Sequence, residues 1–208
     1  MNSMWGKSIK HSLSAALLCG TVGATQAASI WIEPTDLGAS IIQGNSFQMD
    51  IYMDFTDEPT IGGGFDILFD PALVSYVSES FILSPQLGSD PLLSRDDSPQ
   101  SPPLQQVLVD DNNGKIIGAA FGDLIGLTGP SLVGSLTFIA DQVGFAQFGL
   151  EATEDPLVGE FYSSFTLEPQ VVSYSGREVE ISPIPLPAAV WMMLSGLTGL
   201  GLLARRRT

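Results

Sequence analysis

The chain has almost no cysteine and almost no histidine. Its only cysteine, Cys19, and its only histidine, His11, both lie within the first 27 residues. The remainder therefore offers no thiolate or imidazole for a Ser-His or Cys-His nucleophile, for a histidine-ligated zinc site or for a disulfide. Paired carboxylates, which glycoside hydrolases use, remain available, but no pattern places two of them together in a cleft. The composition predicts that the protein is not an enzyme.

Basic residues are also scarce in the middle of the chain. All 23 acidic residues lie between positions 33 and 180, where only three basic residues occur: Arg95, Lys115 and Arg177. This segment carries a net charge of about −20 and should repel nucleic acid and anionic lipid, whose binding depends on Lys and Arg. The need to keep the protein surface solvated is sufficient to explain why these acidic residues are so numerous. Weak calcium binding by Asp96-Asp97 and Asp110-Asp111 is a second hypothesis, and no other cofactor is expected.

Long apolar runs are confined to the two ends. At the C-terminus, residues 188–204 contain no charge, and three arginines stop the run: Arg205, Arg206 and Arg207. Seventeen helical residues span about 25 Å, slightly less than a hydrocarbon core of about 30 Å. The run has no polar face, so it lacks the apolar stripe of a helix that packs on a core. We predict a transmembrane helix over 188–204 with the arginines in the cytoplasm.

The N-terminus has the three parts of a secretory signal. Lys7, Lys10 and His11 form a basic region, residues 13–22 supply a short apolar stretch, and Thr25-Gln26-Ala27 places small residues at a cleavage site. We therefore predict a signal peptide over 1–27, removed by signal peptidase.

The start of the C-terminal tail resembles a known sorting signal. A short motif precedes the apolar run and its arginines, formed by Ile184, Pro185, Leu186, Pro187 and Ala188. The motif, the apolar run and the arginines follow one another in the same order as in the VPLPA-type relatives of PEP-CTERM sorting tails, which they resemble. Ile184 stands where valine is usual, and Leu186 stands where the main family carries glutamate. The resemblance implies that residues 182–208 anchor the protein transiently in the inner membrane of a Gram-negative-type bacterium. An exosortase-type protease would then cleave near the motif and pass the protein to the cell surface or extracellular matrix.

Between the two ends, the sequence has the patterns of β-structure. Apolar residues alternate with polar ones over 47–55, and again over 65–70 after three consecutive glycines, which predict a bulge or tight bend. Strands also follow over 73–77, 107–109, 116–121, 132–140, 144–151, 160–167 and 170–181, while 84–103 is predicted to be an exposed loop. About nine short strands with Gly and Pro punctuation predict an all-β sandwich. Its predicted core comprises Phe47, Ile51, Phe65, Ile67, Phe69, Leu136, Phe138 and Phe148.

A second resemblance covers this middle part. Residues 64–77, Gly-Phe-Asp-Ile-Leu-Phe-Asp-Pro-Ala-Leu-Val-Ser-Tyr-Val, are similar to the cohesin signature, in which a strand, an aromatic-Asp-Pro turn and another strand follow one another. Residues 114–116 and 134–139 are similar to later family segments. The resemblance implies a nine-stranded jelly-roll over 29–181. Cohesins bind dockerins, but their contact residues vary and none is assigned here.

Two aromatic residues are candidates for a ligand face. Tyr52 lies on the polar side of its predicted strand, and Trp31 opposes its apolar neighbours Ile30 and Ile32. Edge packing is the structural alternative for both. The sequence thus favours a surface or matrix module that binds another protein, with binding of a carbohydrate, such as an exopolysaccharide, as the alternative.

Overall fold

The chain folds as a β-sandwich, as the sequence predicts. The computed structural model describes residues 28–38, 40–87, 90, 92–185 and 192–193. Within these residues there are thirteen strands and one short 3-10 helix at Pro103–Gln105. The number exceeds the predicted nine mainly because short strands such as Ile41–Ile42 and Ile82–Leu83 were not predicted and because the predicted strand 170–181 is two strands. In chain order the strands are β1 (Ala28–Pro34), β2 (Ile41–Ile42), β3 (Ser46–Asp54), β4 (Thr60–Phe69), β5 (Val74–Tyr76), β6 (Ile82–Leu83), β7 (Leu108–Asp110), β8 (Lys115–Leu127), β9 (Ser131–Ala140), β10 (Gly144–Ala152), β11 (Tyr162–Ser163), β12 (Val172–Ser175) and β13 (Arg177–Ser182).

The strands form two sheets. In sheet A, the order is β12-β1-β3-β9-β5, with β6 also paired to β9. In sheet B, the order is β2-β13-β10-β4-β8-β7, with β11 also paired to β4. The β1–β12 and β2–β13 pairs are parallel, whereas the other pairs are antiparallel. The inner faces of two such sheets bury alternate side chains of each strand in one shared core.

The core contains the residues that period-2 alternation predicts. Seven of the eight predicted core residues are buried, and Phe47 is half-buried against them. Aromatic rings dominate the centre: Phe138 packs on Phe69 and Phe148 with ring centroids 5.2 and 4.9 Å away. Such pairs each contribute about 0.5–1.5 kcal/mol beyond the area that they bury. Without a disulfide, this core and the sheet hydrogen bonds hold the domain together.

One chain segment passes from sheet A to sheet B at Gly176. β12 pairs with β1, and β13, which follows one residue later, pairs with β10. A Cβ atom at Gly176 would lie 2.2 Å from the carbonyl oxygen of Phe148, so only glycine allows this close approach. The predicted strand 170–181 is therefore two strands with a corner between them.

One loop covers a part of sheet B that the alternation pattern assigns to solvent. Residues 153–161 connect β10 to β11 and lie against the glycines of β4, where a Cβ atom at Gly64 would be 2.2 Å from Val158. The three-glycine prediction of a bulge is confirmed, since the β4–β8 register shifts between Thr60 and Gly62. The glycines also provide space for the loop. Asp66, on the outer side of β4, is consequently fully buried.

Two other predictions, one about a loop and one about a strand, are corrected. The segment 84–103 is not simply exposed, because Arg95, Asp97 and Ser98 are buried where it closes the side of the sandwich. Arg95 forms a bridge to Ala120 of β8, and the Asp97 N–H donates to the carbonyl of Phe81, which directly precedes β6 of sheet A. The predicted strand 160–167 is reduced to β11, because the backbone turns after Ser163, whose carbonyl accepts the Leu167 N–H.

Most residues of the two predicted targeting segments lie outside the described residues. These include the signal peptide 1–27, three residues of the sorting motif (Leu186, Pro187 and Ala188) and the arginines Arg205, Arg206 and Arg207. Of the predicted transmembrane helix 188–204, only Met192 and Met193 are described. Among the described residues, no helix has the length and apolar character needed to cross a bilayer.

Candidate ligand-binding face

Trp31 and Tyr52 lie together on the outer face of sheet A. Their side chains point outward because the residues on either side of each, such as Ile30 and Ile51, are buried in the core. They are direct partners in the β1–β3 register, and their rings stack with centroids 5.6 Å apart and an interplanar angle of 17°. The sequence placed both on the outer surface, and the structure brings them into contact.

Aliphatic side chains extend this aromatic pair across the sheet. Leu132 is the β9 partner of Tyr52, and Ile82 of β6 lies opposite Ser135 of the same strand. Leu132 and Ile82 are 37% and 53% exposed. We call the surface formed by Trp31, Tyr52, Leu132 and Ile82 the sheet A face. It brings apolar side chains of four strands to one outer face, and exposed apolar groups of this kind can mark an interaction site.

Two carboxylates lie beside the sheet A face, and that of Asp50 is buried. The Ser135 hydroxyl donates to Asp50 Oδ1 at 2.5 Å, and the Tyr52 hydroxyl lies 3.5 Å from Asp50 Oδ2. Glu33 is the β1 partner of Asp50. Burial, together with the negative charges of Asp50 and Glu33, raises the pKa of Tyr52. The phenol is therefore neutral at physiological pH; its hydrogen points to Asp50, and its oxygen can accept a hydrogen bond from a ligand.

The described part of the sorting motif follows the last strand. Ile184 and Pro185 are exposed, lie outside any strand and come directly after β13. Proline at 183 and 185 fixes φ and removes hydrogen-bond donors, which keeps such a segment extended.

The two acidic pairs proposed for calcium already accept hydrogen bonds from the protein. Asp97 accepts from the Tyr76 hydroxyl and the Glu79 N–H, and Asp96 accepts from the Leu83 N–H. The Asp110 carboxylate accepts two hydrogen bonds from Asn113 and its pKa is lowered by them. Within the described ranges, no group of three or more His, Cys, Asp or Glu side chains is arranged to hold a metal ion. Calcium binding stays a prediction.

The alternation of apolar and polar residues did not predict the network of buried charged side chains on the outer face of sheet B. Asp66 accepts hydrogen bonds from the Gly118 N–H and the Thr153 hydroxyl, and its Oδ2 lies 3.1 Å from Lys115 Nζ. Arg95 forms an ion pair with Asp155 beside it. The network holds residues 153–161 on the sheet. The scarcity of Lys and Arg was the signal that could have predicted this network. Where a few basic residues lie among many acidic ones, each basic residue is expected to form an ion pair.

Comparisons with known proteins identify the fold. No protein-family model and no curated protein matches the chain. Among solved structures, a type I cohesin–dockerin complex from Clostridium thermocellum contains a chain that matches with a TM-score of 0.52 and 10% identity, covering 76% of this chain and all of that one. CaCohA2 from Clostridium acetobutylicum matches with a TM-score of 0.49 and 13% identity over 74% and 91% of the two chains. A type II cohesin domain from the cellulosome of Acetivibrio cellulolyticus gives 0.47 and 15% over 74% and 95%. The domain formed by the strands β1 to β13 thus has a cohesin-like fold.

Proposed function

We propose that the chain is a secreted surface or matrix protein whose sandwich is a protein-binding module. The observation that supports binding is the sheet A face, where a partly exposed aromatic pair lies on the same outer face as the exposed side chains of Leu132 and Ile82. Its centre is aromatic and its border is polar, which is the composition of protein interfaces. The cohesin-like fold agrees with this function, since the cohesin in the Clostridium thermocellum structure is in complex with a dockerin.

The geometry of the aromatic pair favours a protein over a sugar. Because Trp31 and Tyr52 stack on one another, each ring covers one face of the other. Sugar sites need open ring faces, whereas a protein interface can use ring edges and the neighbouring aliphatic groups Leu132 and Ile82. One observation supports the alternative, an exopolysaccharide ligand: the hydroxyl of Tyr52 and the half-buried carboxylate of Glu33 lie on the same face as the rings, where polar groups can bind sugar hydroxyls.

We also propose that the C-terminal tail is a temporary anchor and a processing signal. The exposure of Ile184 and Pro185 directly after β13 supports this, because a protease needs an extended and accessible segment. The arginines would stay in the cytoplasm, and the sandwich would lie outside the inner membrane until an exosortase-type protease releases it. Intact-mass analysis of the surface protein tests the proposal. A species that retains Trp191 in cells with a working sortase would contradict it.

A capture experiment tests the binding function. The mature protein, and a variant with both Trp31→Ala and Tyr52→Ala, are used to capture ligands from the native matrix, and both are applied to a glycan array. We expect a protein that binds the parent and is lost with the variant. Glycan binding that the substitutions abolish would instead establish the carbohydrate alternative.

A further inference from the structure

A second apolar surface lies at one end of the sandwich, away from the sheet A face. It begins with a bulge in β8. Gly62 of β4 pairs with Gly122, but Thr60 pairs with Leu127, so four residues of β8 protrude opposite a single residue of β4. The Asp123 carboxylate accepts the Ile125 N–H at 2.8 Å and fixes the bulge. The bulge exposes two large apolar side chains, Leu124 at 77% and Ile125 at 92%.

A tight turn after β11 presents two more apolar side chains. The Ser163 hydroxyl, which is fully buried, accepts the N–H groups of Phe165 and Thr166. Leu167 closes the turn with a φ of 58°, a left-handed conformation that costs a branched side chain energy. Phe165 is nonetheless 74% exposed and Leu167 66% exposed. The hydrogen bonds therefore hold these apolar groups in solvent rather than against the core.

The bulge and the turn form one surface. A Cβ atom at Gly126 would lie 2.9 Å from the Ser164 hydroxyl, and the Ser164 N–H donates to the Pro59 carbonyl. We call this surface the apolar tip and define it by four residues: Leu124, Ile125, Phe165 and Leu167. Hydrogen bonds fix both the bulge in β8 and the turn after β11. Exposed apolar groups on a fixed frame are already ordered for binding, so their ordering costs little on association.

The apolar tip lies at the end of the sandwich opposite the C-terminal exit. The tip adjoins the start of β4 at Thr60. Gly129, which follows the bulge, approaches Asp54 at the end of β3, and Asp54 is the partner of Ser29 of β1. The chain from Val172 to Ser182 then runs along the sandwich and ends beside β2. Ten residues at strand rise cover up to about 33 Å, and the corner at Gly176 shortens this distance. A protein attached through its C-terminal tail would therefore present the apolar tip outward.

The charges around the apolar tip indicate the chemistry of its partner. The loops 56–59, 123–130 and 163–170 contain four acidic residues and no basic one: Asp57, Glu58, Asp123 and Glu168. A second copy of this chain would bring like charges together, and an anionic bilayer would be repelled. A protein surface with Lys or Arg around an apolar pocket would complement both features.

From these observations we propose that the apolar tip is a second docking site, for a partner protein with an apolar pocket edged by Lys and Arg. The site is independent of the sheet A face. With two separate contacts, the module connects two components instead of binding one.

Site-specific photo-crosslinking in the producing cells tests this proposal. The full chain carries p-benzoyl-phenylalanine in place of Ile125 or Phe165. The matched control carries it in place of Leu104, which is 87% exposed in the 3-10 helix Pro103–Gln105. We expect positions 125 and 165 to crosslink one and the same protein, at a peptide that combines apolar residues with Lys or Arg, and position 104 not to do so.

Charge and apolar contributions can then be separated with the purified partner. Ile125→Asp should weaken binding by about tenfold or more, as expected for the loss of a central apolar contact. Leu104→Asp should leave binding unchanged, and Trp31→Ala tests the sheet A face separately. Crosslinks only to this chain itself or to lipid, a crosslinked peptide without basic residues, or equal yields at positions 104 and 125 would each overturn the proposal.

Discussion

Replacing Asp66 with alanine tests whether the buried charged network holds residues 153–161 on sheet B. The Asp66 carboxylate accepts hydrogen bonds from the Gly118 N–H at 2.9 Å, the Thr153 hydroxyl at 2.7 Å and the Glu154 N–H at 3.2 Å. Lys115 Nζ lies 3.1 Å from its Oδ2. Removal of the carboxylate leaves all four donors without this acceptor.

The expected loss follows from the burial of these groups. Breaking a buried ion pair by removing one partner costs about 3–5 kcal/mol. Lys115 keeps an ion pair with Glu151 at 2.8 Å, which reduces the penalty. We therefore expect Asp66→Ala to lower the free energy of unfolding by about 3 kcal/mol. For a domain of this size, such a loss lowers the melting temperature by about 6–12 °C.

Urea unfolding followed by tryptophan fluorescence measures this loss, and limited proteolysis reports whether residues 153–161 open. Glu180→Ala, which removes an exposed carboxylate from β13, is the matched control and should change stability by less than about 0.5 kcal/mol. A loss below about 1 kcal/mol for Asp66→Ala, with no new cleavage in 153–161, would refute the network as the cause of the loop's position.

Two further predictions concern single positions. Gly114→Ala should destabilise the domain by more than about 2 kcal/mol in the same unfolding assay. The reason is that φ of Gly114 is +64° and a Cβ atom there would lie 2.0 Å from the Phe69 carbonyl oxygen. An unchanged unfolding midpoint would contradict this turn geometry. Burial alone would raise the pKa of Asp155, but hydrogen bonds from the Leu157 N–H and Arg95 lower it overall. A lowered folded-state pKa stabilises the protein above the unfolded pKa of about 3.9, and this contribution is lost as the pH falls through the folded value. The Asp155→Asn variant should therefore be less stable than the parent at neutral pH and should lose less stability than the parent when the pH is lowered. Stability curves of the two proteins that run parallel with pH would contradict this.

Period-2 alternation was sufficient to predict the inner faces of the sheets. Phe65, Ile67 and Phe69 are buried as predicted, because alternate residues of a strand point to the same side. The same pattern assigned Asp66 to solvent, and this was wrong. Alternation describes a single sheet and contains no information about a loop that later covers its outer face. The three glycines before Phe65 were the local sign that another backbone approaches there.

The candidate sites were predictable to different degrees. Trp31 and Tyr52 were identified from their positions on polar strand faces, but their contact depends on the β1–β3 register, which the sequence does not specify. The apolar tip was missed because residues 160–167 have the composition of a strand. Only the hydrogen bonds of Ser163 show that the chain turns there and leaves Phe165 in solvent. Local propensity was overridden by side-chain-to-backbone hydrogen bonding.

The affinity of the sheet A face for its ligand is the most direct test of the proposed function. The dissociation constant of the captured ligand is measured by titration calorimetry for the parent, for Trp31→Ala and for Phe145→Ala. Phe145 is an exposed aromatic residue on sheet B and serves as the matched control. We predict that Trp31→Ala weakens binding by about tenfold or more, while Phe145→Ala binds like the parent. Parent-like binding by Trp31→Ala, or a comparable loss with Phe145→Ala, would contradict the proposal that this face binds the ligand.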